Sequence, residues 1–226
     1  MLQPKRYLVV LFKVLSPKTI QRSKELQIFA QSEHLRRVSE IVNDPHIAQT
    51  LCSPFSKNQE NHFQGIYNTG NGLIQSLFQL RQAMHPDTLQ FSIGIGGVDN
   101  PINPVMATDI QGTAMEQAQI GLNRAPKTGH YLALSGFSKS LERTLLPSVA
   151  LLWASTRSWN LNRLIILNKR LQGYSESAIG EQLQISERAV YKNIAQAQLG
   201  QWVDLILAVE GSFNRLLNPP ALTQLA

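Results

Sequence analysis

The sequence predicts an α+β protein that continues into an all-helical part at its C-terminal end. Three observations support this fold class. The first 136 residues alternate β-type apolar runs with helical apolar spacing, in the order strand, helix, strand, strand, helix, strand, helix, strand. This mixed order with an internal hairpin favours a ferredoxin-like sheet that carries its helices on one face. Beyond Ser135 only helical patterns occur.

The first strand and the first helix are predicted from a change in apolar spacing. Residues Tyr7 to Phe12 form a continuous β-favouring run of the kind found in strands buried on both faces, so a central strand is expected. From Lys18 to about Asn43 the apolar residues follow helical spacing. Asp44-Pro45 ends this segment, because the residue before a proline disfavours helical backbone.

A hairpin and a second helix follow. Two short apolar runs, Ile47 to Cys52 and His62 to Tyr67, flank a polar loop that contains Pro54 and predict the two arms of a β-hairpin. Helical spacing returns from Asn71 to Met84, and His85-Pro86 ends that helix.

The second half of the sheet is predicted from one alternating segment and one short run. Leu89 to Ile95 alternates large apolar residues with small or polar ones, which indicates a strand. A small-residue helix from about Ala107 to Arg124 and a last strand, His130 to Leu134, complete this unit. The segment Gly94-Ile-Gly-Gly97 lacks the spacing of nucleotide-binding glycine loops, so we interpret its glycines as turn residues.

The composition changes between Gly136 and Pro147, which places a domain boundary there. The predicted domains are residues 1–136 and 147–218. The helical patterns beyond the boundary occupy Leu141 to Ala154, Leu161 to Leu171, a short helix pair within residues 175–198, and Trp202 to Leu217.

The segment from Tyr174 to Gln198 has the pattern of a helix-turn-helix. Its apolar residues fall on one face of two short helices: Ile179, Leu183, Val190, Ile194 and Ala197. Ser175 and Ser186 stand where their hydroxyls can cap the two helices. Gly180 lets the helices approach closely, while Gln184 occupies a turn position that a glycine would adopt more easily.

The outward side of the second helix predicts contact with double-stranded DNA. The candidate DNA-binding residues are Ser186, Arg188, Tyr191, Lys192 and Gln196, which could reach base edges or phosphates from the major groove. The chain carries a net charge of +6, and the stretch from Arg157 to Lys192 holds six Lys or Arg against three Glu. The alternative is a helical hairpin that packs against another protein.

Composition argues against several other classes. The single cysteine, Cys52, excludes an intramolecular disulfide and a cysteine-rich zinc site, and we interpret it as a buried small side chain. The scattered histidines match no zinc motif, so we expect no metal, no cofactor and no catalytic residue. The longest apolar stretch, Leu145 to Ala154, is much shorter than the roughly 20 residues of a membrane span. We therefore expect a cytoplasmic protein without a membrane partner.

Four short features follow one another along the chain: Phe63-Gln-Gly-Ile66, Phe91-Ser-Ile-Gly-Ile-Gly-Gly97, Asn103-Pro104 before the small-residue helix, and the helix-turn-helix. Taken in this order, they resemble the SatD family. The resemblance spans most of the chain, although each motif is short. The N-terminal half of that family resembles the fold of class III nucleotide cyclases and GGDEF diguanylate cyclases. The resemblance implies a cyclase-like domain whose relatives hold two metal ions with acidic residues at the first strand and the hairpin.

The acidic positions of that metal site are replaced in this chain. The family pattern Gly-Asp-Ile reads Leu11-Phe-Lys13 here, which puts Phe12 at the position of the acid. The pattern Gly-Asp-Glu-Phe-Gln-Gly reads Glu60-Asn-His-Phe-Gln-Gly65, so Asn61 and His62 replace both carboxylates. Carboxylate oxygens hold the magnesium that offsets phosphate charge. The resemblance therefore implies a degenerate, catalytically inactive domain.

Besides a structural adaptor whose helix-turn-helix contacts another protein, two functional hypotheses remain, with one question of assembly. The first is a bacterial-type transcriptional regulator that binds DNA through its helical domain, while the α+β domain senses a ligand or dimerises. The second is a nucleotide-binding sensor, or a cyclase-like enzyme with a relocated metal site. The apolar helix from Trp202 to Leu217 fits packing within its own domain and a homodimer contact equally well.

Overall fold

The computed structural model describes residues 5–15, 33, 36–42, 44–128 and 131–218. It is a mixed α+β fold built on one five-stranded sheet. The strands are β1 (Tyr7–Leu15), β2 (Ser53–Lys57), β3 (Phe63–Tyr67), β4 (Thr88–Gly96) and β5 (Leu132–Ser135). The helices are α1 (helical residues 36–42), α2 (Pro45–Ala48), α3 (Leu73–Ala83), α4 (Thr113–Thr128), α5 (Lys139–Ser155), α6 (Leu161–Leu171), α7 (Glu176–Leu183), α8 (Glu187–Ala197) and α9 (Leu199–Leu217).

Strand β1 is the centre of the sheet, as the sequence predicts. The strand order is β2-β3-β1-β4-β5, in which β1 pairs antiparallel with β3 and β4, and β4 pairs parallel with β5. The side chains from Leu8 to Phe12 are completely buried. Their continuous apolar run follows from this position, because both faces of β1 are covered.

The hairpin is confirmed, but its first arm is not the predicted run from Ile47 to Cys52. Asp44 caps the short helix α2 by accepting a hydrogen bond from the His46 amide (2.8 Å), and Pro45 takes the first helical position. The arm begins instead at Ser53 and contains Pro54. A proline is tolerated there because β2 is an edge strand of the sheet.

Helix α4 begins at Thr113 and not near Ala107. Residues 101–112 form a loop along the edge strand, where the Ala107 amide donates to the Pro54 carbonyl (2.8 Å). Ser53 Oγ donates to the Asn103 carbonyl (2.6 Å). The small Ala107 is fully buried in this contact. Small residues allow close packing of a loop as well as of a helix. The spacing of small residues in the sequence does not distinguish the two, which is why it predicts a helix that begins too early.

The helices lie on both faces of the sheet, so the expectation of one covered face is wrong for α4. Phe12 belongs to the core beneath α3, whereas Val9 and Leu11 face Ala114 and Ala118 of α4. The Gly94 position explains the close packing of α4. A Cβ atom at Gly94 would collide with the backbone of α4, so this glycine is a packing residue and not the predicted turn residue.

The other predicted elements of the sheet part agree with the structure where residues are described. Helix α3 and strand β4 match their predictions within two residues, and β5 is observed at Leu132–Ser135. Val38 and Val42 are buried on α1. Of the predicted helix from Lys18 to about Asn43, residues 18–32, 34, 35 and 43 lie outside the described part of the chain, as does His130 of the predicted last strand. No described helix combines the length and the apolarity needed to cross a membrane.

The helices from α5 onward share one hydrophobic core with α3 and the sheet. Trp153 of α5 contacts Phe78 and Phe91, with ring centroids 5.2 and 5.1 Å apart, and Phe213 of α9 contacts Phe137 at 5.8 Å. Helix α5 begins at Lys139, between the end of the first predicted domain at residue 136 and the start of the second at residue 147. The division into two domains stays a prediction. Most of the apolar face of α9 is buried within the chain, while a homodimer stays a prediction.

Helix α9 also supplies the cap of helix α3. The N-cap residue of α3 is Gly72, which has no side-chain oxygen to accept the first amide hydrogens. The buried Glu210 carboxylate accepts them instead, from the Gly72 amide (2.9 Å) and the Gln75 amide (3.1 Å). One turn further, Asn214 Oδ1 accepts from the Gly70 amide (2.7 Å). We call this contact the Glu210 cap.

Replacing Glu210 with alanine should lower the free energy of unfolding by about 1–3 kcal/mol, because the partly buried amide hydrogens of Gly72 and Gln75 lose their acceptor. Urea unfolding followed by circular dichroism measures the change. Ser212→Ala is the matched control on the same helix, since among the described residues Ser212 bonds within α9 alone, to the Ala208 carbonyl and to Arg215. An effect of Glu210→Ala no larger than that of the control would contradict the importance of the Glu210 cap.

The stability of the protein should also depend on pH through Glu210. Burial raises the pKa of this carboxyl above its ordinary value of 4.5, against the opposing effect of the backbone amides that bond it. The folded state therefore binds a proton more tightly than the unfolded state. The free energy of unfolding, relative to that of Glu210→Gln, should fall as pH rises from about 4.5 to the folded pKa. Parallel urea titrations between about pH 4 and pH 8 test this, and a difference that rises with pH would contradict it.

Candidate nucleic-acid interface

Helices α7 and α8 form the helix pair expected between residues 175 and 198. Ser175 Oγ accepts a hydrogen bond from the Ala178 amide (3.3 Å) at the start of α7. Ser186 Oγ accepts from the Ala189 amide (3.2 Å) at the start of α8. Both predicted caps are confirmed, and they define where each helix begins.

The turn between the two helices depends on Gly180 and Gln184. Gln184 adopts left-handed backbone angles, with φ 54° and ψ 39°, at the position where the sequence predicts a conformation suited to glycine. The Ile185 amide then donates to the Gly180 carbonyl (3.0 Å). A Cβ atom at Gly180 would lie only 2.9 Å from the Ile185 carbonyl oxygen, so the close approach requires glycine.

The inner faces of α7 and α8 pack against α6 and α9. Ile179 and Val190 are completely buried, and Leu183, Ile194 and Ala197 are half-buried against the same core. Arg170 of α6 forms an ion pair with Glu176 of α7, with 2.5 Å between Nη1 and Oε1. Helix α6 therefore completes a three-helix unit that presents α8 at its surface.

The outer face of α8 consists of Ser186, Arg188, Tyr191, Lys192 and Gln196, all of which are exposed. We call it the α8 outer face. Arg188 and Lys192 form no hydrogen bond or ion pair with any described residue. Helix α8 carries one acid in its first turn, Glu187, where it complements the helix dipole. Both cations are thus available to an external partner.

Phe12, Asn61 and His62 have three different environments, and their assignment as a degenerate site stays a prediction. Phe12 is completely buried in an aromatic cluster, with its ring centroid 5.0 Å from that of Phe63. Asn61 is exposed in the hairpin turn with φ 59°. His62 Nδ1 lies 3.3 Å from Glu60 Oε2, and burial lowers the pKa of His62 against the opposing charge of Glu60. The described residues contain no cluster of three or more potential metal ligands.

A polar cleft of about 400 Å³ lies beside the hairpin, and sequence spacing gave no signal of it. Its walls include Lys57, Gln64, Asp109 and Gln119. Gln119 Nε2 donates to Glu60 Oε2 (2.9 Å), which ties α4 to the hairpin turn. These residues come from separate parts of the chain, so only the folding of the loop and α4 against β2 and β3 creates the cleft.

Cys52 has a structural environment. It is half-buried, and its Sγ donates to the Ile66 carbonyl (3.3 Å). Burial raises the pKa of its thiol, which keeps the side chain in the neutral form. This agrees with its interpretation as a small packing residue.

Comparison with known proteins adds no relative. No family model matches the chain, and no curated protein matches its sequence. The SatD resemblance therefore rests on the sequence motifs, and it stays a prediction.

Replacing Gln184 with glycine should raise the free energy of unfolding by about 0.5–1 kcal/mol, because glycine adopts the left-handed conformation without a steric cost. The matched control is Gln182→Gly in the regular part of α7, which should lower it by a similar amount. Thermal unfolding of the two variants separates the effects. Destabilisation by Gln184→Gly would contradict the described turn.

Proposed function

We propose that this protein is a DNA-binding transcriptional regulator of the SatD family. The observation that carries the proposal is the arrangement of α8. One side of this helix is buried through Val190, while the α8 outer face presents Arg188 and Lys192 without a described partner. A short capped helix that follows a tight turn and exposes cations and amides is the geometry of a recognition helix.

Each residue of the α8 outer face has a role in the proposed complex. Arg188 is suited to the paired acceptors of guanine, and Gln196 to the adenine edge. Lys192 offers a point charge for a phosphate, and Ser186 and Tyr191 offer hydroxyls. The buried Val190 and half-buried Ile194 keep these side chains directed away from the protein.

The sheet part is proposed to be a ferredoxin-like, cyclase-like domain that has lost catalysis. The order β2-β3-β1-β4 with antiparallel neighbours supports the ferredoxin-like arrangement. The burial of Phe12 in an aromatic cluster supports the loss of a metal site at that position. We propose that this domain senses a ligand or joins two copies of the chain in the cytoplasm.

The second candidate function is nucleotide binding, with or without a relocated metal site. The polar cleft beside the hairpin favours this alternative, since it combines Lys57 with the carboxamides of Gln64 and Gln119. Incubation with ATP or GTP and magnesium, followed by chromatography, tests the enzyme. Thermal shift with the same nucleotides tests the sensor. Neither a cyclic product nor a shift is expected if the protein acts only through DNA.

Replacing both Arg188 and Lys192 with alanine should weaken binding to duplex DNA by at least about tenfold, because one base contact and one phosphate contact are lost. The slope of log affinity against log salt concentration should fall by about one, because only the Lys192 contact is to a phosphate. Fluorescence anisotropy with DNA selected from random sequence, repeated at several salt concentrations, measures both quantities.

The matched control removes the same charge from another helix. Lys139 and Arg143 are exposed near the start of α5, so Lys139→Ala with Arg143→Ala tests the effect of net charge alone. Equal loss of affinity in the two double variants would show non-specific attraction. An unchanged affinity after the α8 substitutions would refute the proposed recognition helix.

A further inference from the structure

A cleft of about 530 Å³ lies between α2, α3 and α6, away from the α8 outer face. Its most prominent chemistry is a set of four side-chain carboxamides. Helix α3 contributes Gln79 and Gln82, and helix α6 contributes Asn168 and Gln172. Residues three or four apart share a face of a helix, so both pairs point into the same space. We call this site the amide cleft.

The inner wall of the amide cleft contains an acceptor that the protein leaves unpaired. Asn168 is only 3% exposed, and its Nδ2 donates to the Phe78 carbonyl (3.2 Å) and to Gln82 Oε1 (2.6 Å). The Phe78 carbonyl can only accept, which fixes the orientation of the Asn168 amide. Asn168 Oδ1 then has no hydrogen-bond partner. A buried unpaired acceptor is costly, and a donor from a ligand would remove that cost.

The donors and charges around the cleft define the ligand further. Gln82 Oε1 is already bonded to Asn168, so the Gln82 Nε2 amide, which has no described acceptor, is the donor that this side chain can offer. The rim carries two carboxylates that already have partners: Glu40 pairs with Arg36 (2.5 Å), and Asp44 accepts from the His46 amide (2.8 Å). The ammonium of Lys169, which also borders the cleft, lies over the Tyr174 ring at 4.5 Å from its centroid. This balance disfavours an anion and favours an uncharged molecule.

We propose that the amide cleft binds an uncharged small molecule that carries an amide edge, with one N–H donor beside one carbonyl acceptor. Gln82 first moves aside to open the inner wall, which breaks its hydrogen bond to Asn168 Nδ2. The ligand N–H then pairs with Asn168 Oδ1, and the ligand carbonyl accepts from Asn168 Nδ2, in place of Gln82 Oε1, and from Gln82 Nε2. Gln79 and Gln172 add hydrogen bonds nearer the solvent. The volume lies within the range of small-molecule sites in proteins.

Binding at this site would act on the helix-turn-helix, a consequence that rests on the proposed DNA-binding function. The cleft joins α3 of the sheet part to α6, and the Arg170–Glu176 ion pair joins α6 to α7. A ligand that bridges α3 and α6 therefore fixes the base of the unit that presents α8. The amide cleft is accordingly a place where the ligand could change DNA affinity.

The first experiment uses benzamide as the probe on the full chain. Saturation-transfer NMR is compared for benzamide, for acetophenone, which keeps the ring and carbonyl but lacks the N–H, and for benzoate, which adds negative charge. A fragment of this size should bind at about millimolar concentration. We expect benzamide to bind at least about fivefold more tightly than the other two. Absence of benzamide binding at about 10 mM, or equal binding of all three, would overturn the proposal.

Variants locate the site. Gln79 is half-buried and Gln79→Met keeps its shape without an amide, as does Gln82→Met. Both should weaken benzamide binding at least about threefold, whereas Gln111→Met in the exposed loop before α4 should not. Binding that survives both cleft variants would place benzamide elsewhere and overturn the assignment. DNA affinity measured without benzamide is independent of these results, so failure of the DNA proposal would show separately.

Discussion

The position of the helical part relative to the sheet depends on one buried carboxylate. Glu210 of α9 accepts the first amide hydrogens of α3, a helix whose own N-cap is Gly72 and has no side chain to do so. The loop before α3 is shaped for this contact, since a Cβ atom at Gly70 would lie 2.7 Å from Phe213 Cβ. Burial of a carboxylate is unfavourable unless its hydrogen bonds are complete. Together with the hydrophobic core that α3 and α9 share, this requirement favours the observed position of α9, and of the helices packed on it, against the sheet.

The two faces of α8 show how packing and recognition divide one short helix. The inner face joins the core through Val190, which is completely buried and therefore cannot contact a partner molecule. The residues of the α8 outer face are not packed in the core, and its cations have no described intramolecular partner. The same separation holds at the amide cleft, where α3 and α6 pack by their apolar sides and leave carboxamides between them. Both proposed sites therefore lie on helices that the core already positions.

Sequence patterns predicted the helices and strands well where the spacing of apolar residues fits only one type of secondary structure. Helix α6 matches its predicted bounds, and both serine caps form as expected. The errors occur where one pattern fits two structures. The run from Ile47 to Cys52 packs as a short helix and turn, and Gly94 permits the approach of α4 and not a turn. In each case the two possible structures have the same local residue pattern, so only packing against neighbouring elements decides between them.

The sequence by itself determined the central strand β1, the caps of α7 and α8, and the polar residues of the α8 outer face, because these depend on neighbours within a few positions. It also showed that Phe12 cannot act as a metal ligand. Only the tertiary structure decided that α4 covers the opposite face from α3, that Glu210 caps α3, and that Asn168 meets Gln82 in a cleft. These features join residues far apart in the chain, and the physical reason is that burial and hydrogen-bond completion are satisfied across elements and not within them.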